Sequence, residues 1–393
     1  MTEKIKAAQK YLSENNLDGW LLYDFRRSNP IAAEFMGIRG QQTRRWFYFI
    51  PKTGEPKGLY HRIEYHNFDS IPGSRELFSG WKELETKLGK MLSGVKKVAM
   101  EYSPRNAIPY VSRVDAGTIE LVRSFGIEVA SSADLVQMFQ AVLTPEEYQT
   151  HVYAAKALYE IQNKAFALIA GKINAGQPVN EYEIQQFIWN EYSKYGMIAD
   201  GAAIVAVNAN AANPHYQPTA EVFAPIQKGD LVLIDLWAKK DSAGSIYADI
   251  TWMGYVGDKL PDDIAKIWAV EAEARDKAIS FVTERIAKGQ RVYGYEVDDV
   301  ARGVIEKAGY GPNFTHRTGH SIGVEDHGNG VNIDNFETQD RRELVPGVCF
   351  SIEPGIYLEG KYGFRSEIDM FIHPGKAEVT TQPVQKEILL LLK

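Results

Sequence analysis

The run Leu231-Val232-Leu233-Ile234-Asp235-Leu236-Trp237 is a strand-length apolar segment with one carboxylate in its middle. Removing a carboxylate from water costs several kcal/mol unless it is hydrogen-bonded, paired or bound to a metal. A fold that buries this run must therefore give Asp235 a partner. The next apolar segment, Tyr247-Ala248-Asp249-Ile250-Thr251, carries a second acid. If Lys239 to Gly244 is the connecting loop and Ser242 the hairpin centre, Asp235 and Asp249 face each other. Directly opposed like charges destabilise a sheet, and a cation between them reverses that sign.

The pattern recurs near the end of the chain. Glu353 lies in Phe350-Ser351-Ile352-Glu353-Pro354-Gly355 and Glu367 in Gly363-Phe364-Arg365-Ser366-Glu367-Ile368, with Gly360 midway. Both acid pairs are 14 positions apart. Salt-bridged or exposed carboxylates remain an alternative for such pairs, and the histidines weigh against it. Of 8 in the chain, His316, His320 and His327 fall within one twelve-residue stretch, and His215 sits in Asn213-Pro214-His215-Tyr216. Clustered imidazoles beside paired carboxylates point to a metal site. The pattern is not the helical H-E-x-x-H of zinc proteases, because Arg317 follows His316.

The rest of the sequence bounds the class of protein. A chain of 393 residues predicts two or three domains with cores large enough to need no disulfide. The single cysteine, Cys349, fits a reducing compartment. A net charge of −7 speaks against nucleic acid or an anionic membrane as the main partner. The longest apolar run, Ile388–Leu392, is far shorter than the roughly 20 residues of a spanning helix. Met1–Leu17 lacks a signal-peptide core and reads as a surface helix burying Ile5, Ala8 and Tyr11–Leu12. A cytoplasmic protein is the expectation.

Trp20–Tyr23, Trp46–Ile50 and Lys97–Glu101 read as strands of a compact α/β region. Thr144-Pro145-Glu146-Glu147 is a helix start, with Thr144 as cap, Pro145 at the first helical position and Glu147 closing a capping box. A domain boundary is placed there, giving 1–143 and 144–393. Beyond it, helices are expected at 145–170, 179–195, 264–287 and 296–308. Strands are expected at 204–207, 231–238, 246–255, 348–352, 367–372 and 384–392.

The ordered set Asn-Pro-His-Tyr, Leu-Ile-Asp, Asp-Ile-Thr, His-x-x-x-His-x-x-Gly, Ile-Glu-Pro-Gly and Arg-Ser-Glu, over residues 213–367, resembles the pita-bread metallopeptidases. These include Xaa-Pro dipeptidase (prolidase), aminopeptidase P, methionine aminopeptidase and creatinase. The resemblance implies an α+β architecture: a C-terminal pita-bread catalytic domain preceded by a smaller α/β creatinase-type domain. It implies two divalent cations held by Asp235, Asp249, His320, Glu353 and Glu367, with Asp249 and Glu367 bridging. The donor set of four carboxylates and one imidazole favours Mn²⁺, with Co²⁺, Fe²⁺ or Zn²⁺ as alternatives.

By the same resemblance, a metal-activated water attacks the scissile carbonyl and Glu353 shuttles the proton. His215 and His327 hydrogen-bond the reacting carbonyl, and His316 lines a proline pocket. Arg365, two residues before Glu367, lies on the same strand face and orients carboxylates. The implied substrate is a proline-containing dipeptide or short peptide, and the implied assembly a homodimer. Xaa-Pro dipeptidase leads, with aminopeptidase P as the alternative. A non-peptidase hydrolase or lyase, or a non-catalytic peptide-binding scaffold, on the same fold are the further readings. Trp237, where relatives carry a small residue, and a lengthened 239–244 loop depart from the pattern and bear on pocket shape.

Overall fold

The computed structural model describes residues 1–393, which divide into two compact units, Met1–Phe139 and Gln140–Lys393. No helix is long and apolar enough to cross a membrane.

The first unit is a six-stranded mixed sheet with helices on both faces. Helix α1 (Thr2–Glu14) buries Ile5, Ala8 and Leu12, the spacing of one helical stripe. Strands β1 (Gly19–Asp24), β2 (Trp46–Pro51), β3 (Lys57–His61), β4 (Ser74–Phe78), β5 (Lys97–Met100) and β6 (Glu128–Ser131) run in the order β4-β3-β2-β1-β5-β6. Alternate residues of β1 and β2 divide between two cores. Trp20, Leu22, Trp46 and Tyr48 pack with α1 and α2 (Pro30–Met36). Leu21, Tyr23, Phe47 and Phe49 pack with α3 (Trp81–Met91) and α4 (Ala116–Ser124). Helix α5 (Ala133–Gln140) closes this region.

The second unit starts with α6 (Pro145–Asn174), whose Thr144 hydroxyl accepts from Glu147 N while the Glu147 side chain accepts from Thr144 N. It continues through α7 (Glu181–Lys194), β7 (Met197–Ile198), β8 (Ile204–Val207), β9 (Leu231–Lys240), β10 (Ala248–Tyr255), α8 (Asp262–Ala287) and α9 (Gly294–Lys307). The last third holds β11 (Ser321–Ile322), β12 (Cys349–Ile352), β13 (Gly355–Leu358), β14 (Tyr362–Arg365), β15 (Ile368–His373), β16 (Lys376–Val379) and β17 (Leu389–Leu390). One sheet runs β17-β10-β9-β7, with β8 also on β9; a second runs β11-β12-β15-β16; β13 and β14 form a hairpin.

Strand β9 is covered on both faces, which explains why Leu231–Ala238 is apolar at every position but Asp235. Val232, Ile234 and Leu236 meet α6 and α7. Leu231 and Leu233 face the core of α8 and α9, and Asp235 continues that side. On β10, Met253 shares that core, so Asp249 and Thr251 share its face.

Two expectations change. The β9–β10 ladder sets Asp249 opposite Trp237 and Asp235 opposite Thr251. The aspartates are therefore diagonal neighbours on one face, because β9 runs on through Lys240 and the turn occupies 241–247. Of the strand expected over 384–392, only Leu389–Leu390 pairs, parallel to β10. The Gln385 amide takes the neighbouring ladder position, accepting from Met253 N at 2.9 Å and donating to Met253 O at 2.7 Å.

Candidate metal centre

Four stretches of chain converge here. Asp235 and Asp249 come from the β9–β10 face. His320 immediately precedes β11. Glu353 follows β12, and Glu367 precedes β15. The pairs Ile352↔Ile368 and Gly355↔Arg365 share one register, so Glu353 and Glu367 sit opposite each other where the ladder is interrupted. Gly360 forms the turn of this hairpin with φ +72, a backbone state open to glycine. Gly319 seats His320: a Cβ there would lie 2.0 Å from Ser351 O.

His320 Nε2 stands 3.2 Å from Glu353 Oε1 and 3.9 Å from both Asp249 Oδ2 and Glu367 Oε1. Asp235, Asp249, His320 and Glu367 are all buried. Arg365 pairs with Asp235 Oδ2 and donates to Thr251 Oγ1 (3.2 Å) and the Tyr357 hydroxyl (3.0 Å). His316 Nε2 shares that hydroxyl at 2.7 Å. The His327 ring lies 4.0 Å from the His320 ring, centroid to centroid, with its edge exposed. His215 is exposed, and no side-chain hydrogen bond holds it.

Electrostatically the group is unbalanced as a set of side chains alone. Burial, then neighbouring carboxylates, push Asp249 and Glu367 well above the usual carboxylate range. Burial also raises Asp235, against the opposing charge of Arg365. Burial would raise Glu353 as well, yet its hydrogen bond to His320 and the His320 charge hold it below that range. Asp235 Oδ1, Asp249 Oδ1 and Glu367 Oε1 are buried without any hydrogen-bond partner. Orphaned acceptors of this kind call for an explanation. A cation supplies one, and the residues fit a divalent ion: Asp249, His320 and Glu367 place their donor atoms within 4.8 Å of one another.

Several participants were not singled out from the sequence. The Thr251 hydroxyl donates to Glu367 Oε2 at 2.8 Å. Asp369 Oδ2 accepts from Asp249 N at 2.9 Å. The Ser351 hydroxyl accepts from His320 N and donates to Glu353 Oε1. Each is two positions from an acid already identified, so the period of a strand was the available signal. Tyr357 had no such signal, and neither did Asp326, whose Oδ2 lies 3.6 Å from His327 Nε2 in a second group, with His320, that could hold a metal ion.

Fold and site together define a metal-dependent hydrolase of mixed α/β architecture. The family model described as metallopeptidase family M24 matches residues 153–374, more than half of the chain, and the chain belongs to that family. It is an enzyme family that works with divalent metals. An uncharacterized peptidase of Staphylococcus epidermidis is 27% identical over 390 residues, covering 96% of this chain and 99% of the relative. An Xaa-Pro dipeptidase of Lactobacillus helveticus is 33% identical over 248 residues, 62% of this chain and 60% of its own. Among solved structures, the dipeptidase PepE of Mycobacterium ulcerans shares the fold with a TM-score of 0.71 at 21% identity. That likeness covers 99% of this chain and 97% of the other. The α+β arrangement expected from the sequence, a catalytic C-terminal domain after a smaller α/β one, is the arrangement of these folds.

Proposed function

We propose that the chain hydrolyses the peptide bond between a residue and proline, with Xaa-Pro dipeptides as substrates. The reading rests on one observation above all: Asp235, Asp249 and Glu367 each keep a buried oxygen without a partner, and Asp249 and Glu367 both come within 3.9 Å of His320 Nε2. Asp235, Asp249, His320, Glu353 and Glu367 hold two divalent cations, Mn²⁺ first among them. Four carboxylates match the charge of two such ions. When bound, the ions lower the pKa of a water and polarise the scissile carbonyl.

The chain's own groups do the rest. Glu353 takes the proton of the attacking water and delivers it to the proline nitrogen as the bond breaks. His327 and His215 donate to the oxygen that gains charge. Arg365 holds Asp235 in one orientation, and Thr251 does the same for Glu367. His316 and Tyr357 form the wall for the proline ring. Such a wall is needed because a bond to proline offers no N–H for backbone recognition. Residues 144–393 carry the chemistry, 1–143 form the creatinase-type domain, and the chain works as a homodimer in the cytoplasm.

Hydrolysis of Ala-Pro, Gly-Pro and the tripeptide Ala-Pro-Ala, with chelated protein and after Mn²⁺ is restored, tests this. Metal-dependent cleavage of the dipeptides alone is expected. Release of alanine from the tripeptide assigns the aminopeptidase P reaction instead. No cleavage with two ions bound overturns proline specificity.

A further inference from the structure

Beside the metal centre, where the His327 ring packs on His320, a cavity of about 400 Å³ is lined by Asp200, Trp237, Glu325, Asp326 and His327. Three of these five residues are acids, and neither lysine nor arginine is among them; His327 is the one imidazole. Asp326 is 7% exposed, and its Oδ1 has no hydrogen-bond partner. Asp326 also groups with His320 and His327 as side chains able to hold a cation, and no protein donor meets its Oδ1. The second wall is aromatic. The Trp237 indole donates to Asp200 Oδ1 at 2.7 Å, which fixes its ring at the cavity edge. Gly201 leaves room for that ring, since a Cβ there would meet it at 3.0 Å. An indole face combined with carboxylates is the chemistry that binds organic cations.

We propose that this cavity receives the basic side chain, lysine or arginine, of the residue preceding the scissile bond. The inference rests on the reading above, in which His316 takes the proline and His327, which also lines this cavity, meets the reacting carbonyl. Two neighbouring cations are already engaged. Lys239 Nζ donates to Val324 O and lies 4.7 Å over the Tyr247 ring, and Arg317 Nη2 is 3.2 Å from His327 Nδ1. Neither lines the cavity, so its carboxylates outnumber the positive charge left to meet them.

The test compares Lys-Pro and Arg-Pro with norleucine-Pro, a chain of similar length without the charge. All three carry the same free α-amine, so only the side chain differs. On the Mn²⁺-loaded enzyme, kcat/KM is expected to be at least about tenfold higher for the basic pair, falling as salt rises. The exposed-rim double variant Asp200→Asn/Glu325→Gln is expected to reduce that ratio severalfold. Asp326→Asn is expected to reduce it further. Calorimetric binding of Lys-Pro and norleucine-Pro to the same proteins gives a readout independent of turnover. Equal values for basic and neutral dipeptides, with both hydrolysed, overturn the inference and leave the proline reading intact. If no dipeptide is hydrolysed, the proline reading falls; a binding preference for Lys-Pro that the double variant loses still supports the cavity's role. A third equivalent of metal, lost in Asp326→Asn, overturns the inference by assigning the cavity's charge to an ion.

Discussion

Two regions of this molecule bury carboxylates, and they resolve the cost in opposite ways. In the first unit, Glu101 is fully buried next to β5, and burial raises its pKa. It accepts from Trp20 Nε1 at 2.6 Å, Asn29 Nδ2 at 2.7 Å and Ser132 Oγ at 3.0 Å. No other carboxylate presses on it and no oxygen is orphaned. In the second unit, Asp235, Asp249, Glu353 and Glu367 crowd one another, and three of the four keep an unpartnered oxygen. Burial alone therefore does not mark a site. Crowded like charge with unfilled acceptors does, because only a ligand of opposite charge completes it.

Substitution can break that contrast, and the largest effect is expected at Glu353. Glu353→Ala removes a donor to the centre and the proton carrier together, so kcat should fall about a thousandfold or more. The circular dichroism spectrum should stay unchanged; near-normal turnover would refute the assigned role. At Glu101 the expectation is structural. Glu101→Ala strands the donors of Trp20, Asn29 and Ser132, costing about 3 kcal/mol in chemical denaturation. The number of ions bound per chain should not change.

His151 offers a third kind of buried titratable group. Its ring contacts Tyr247 O and Thr380 Oγ1, both at 2.6 Å, and burial pushes its pKa down to about 4. The unfolded chain takes up that proton near the ordinary 6.5, so this contribution is complete above about pH 6.5 and is lost as pH falls towards 4. His151 by itself should subtract about 2 kcal/mol of stability between pH 7 and 5, read as the difference between the wild-type and His151→Gln profiles. His151→Gln should flatten that part of the profile.

The smallest effect is the most discriminating. Asp249→Asn removes one charge from the crowded set. In chelated protein it should raise the melting temperature by about 1–2 degrees, an effect of about 1 kcal/mol. With Mn²⁺ restored the sign should reverse, because the wild-type protein gains stabilisation from bound ion that the variant loses. The same sign in both conditions would mean that Asp249 does not serve a metal.

Much of this architecture was legible before any coordinates. The capping box at Thr144, the stripe on α1, the centre of the second hairpin at Gly360 and the face shared by Arg365 and Glu367 all follow from local rules of period and turn chemistry. The first hairpin shows where such rules stop. Both acid pairs have the same spacing, yet Asp235 and Asp249 are diagonal while Glu353 and Glu367 are opposed. Register depends on how far β9 continues past Asp235, and that is set by its pairing with β7 at Lys239 and Lys240.

Sequence by itself determined which side chains can bear charge inside the protein, and at what period they recur along each strand. Those are properties of covalent order and backbone geometry. Tertiary structure alone decided which buried acids are satisfied and which are not. It gave Glu101 three neutral donors and gave Asp249 and Glu367 each other, and it set Asp326 and Trp237 around one cavity. Satisfaction depends on atoms brought together from distant parts of the chain, and the crowded charge it leaves is a sum over all of them.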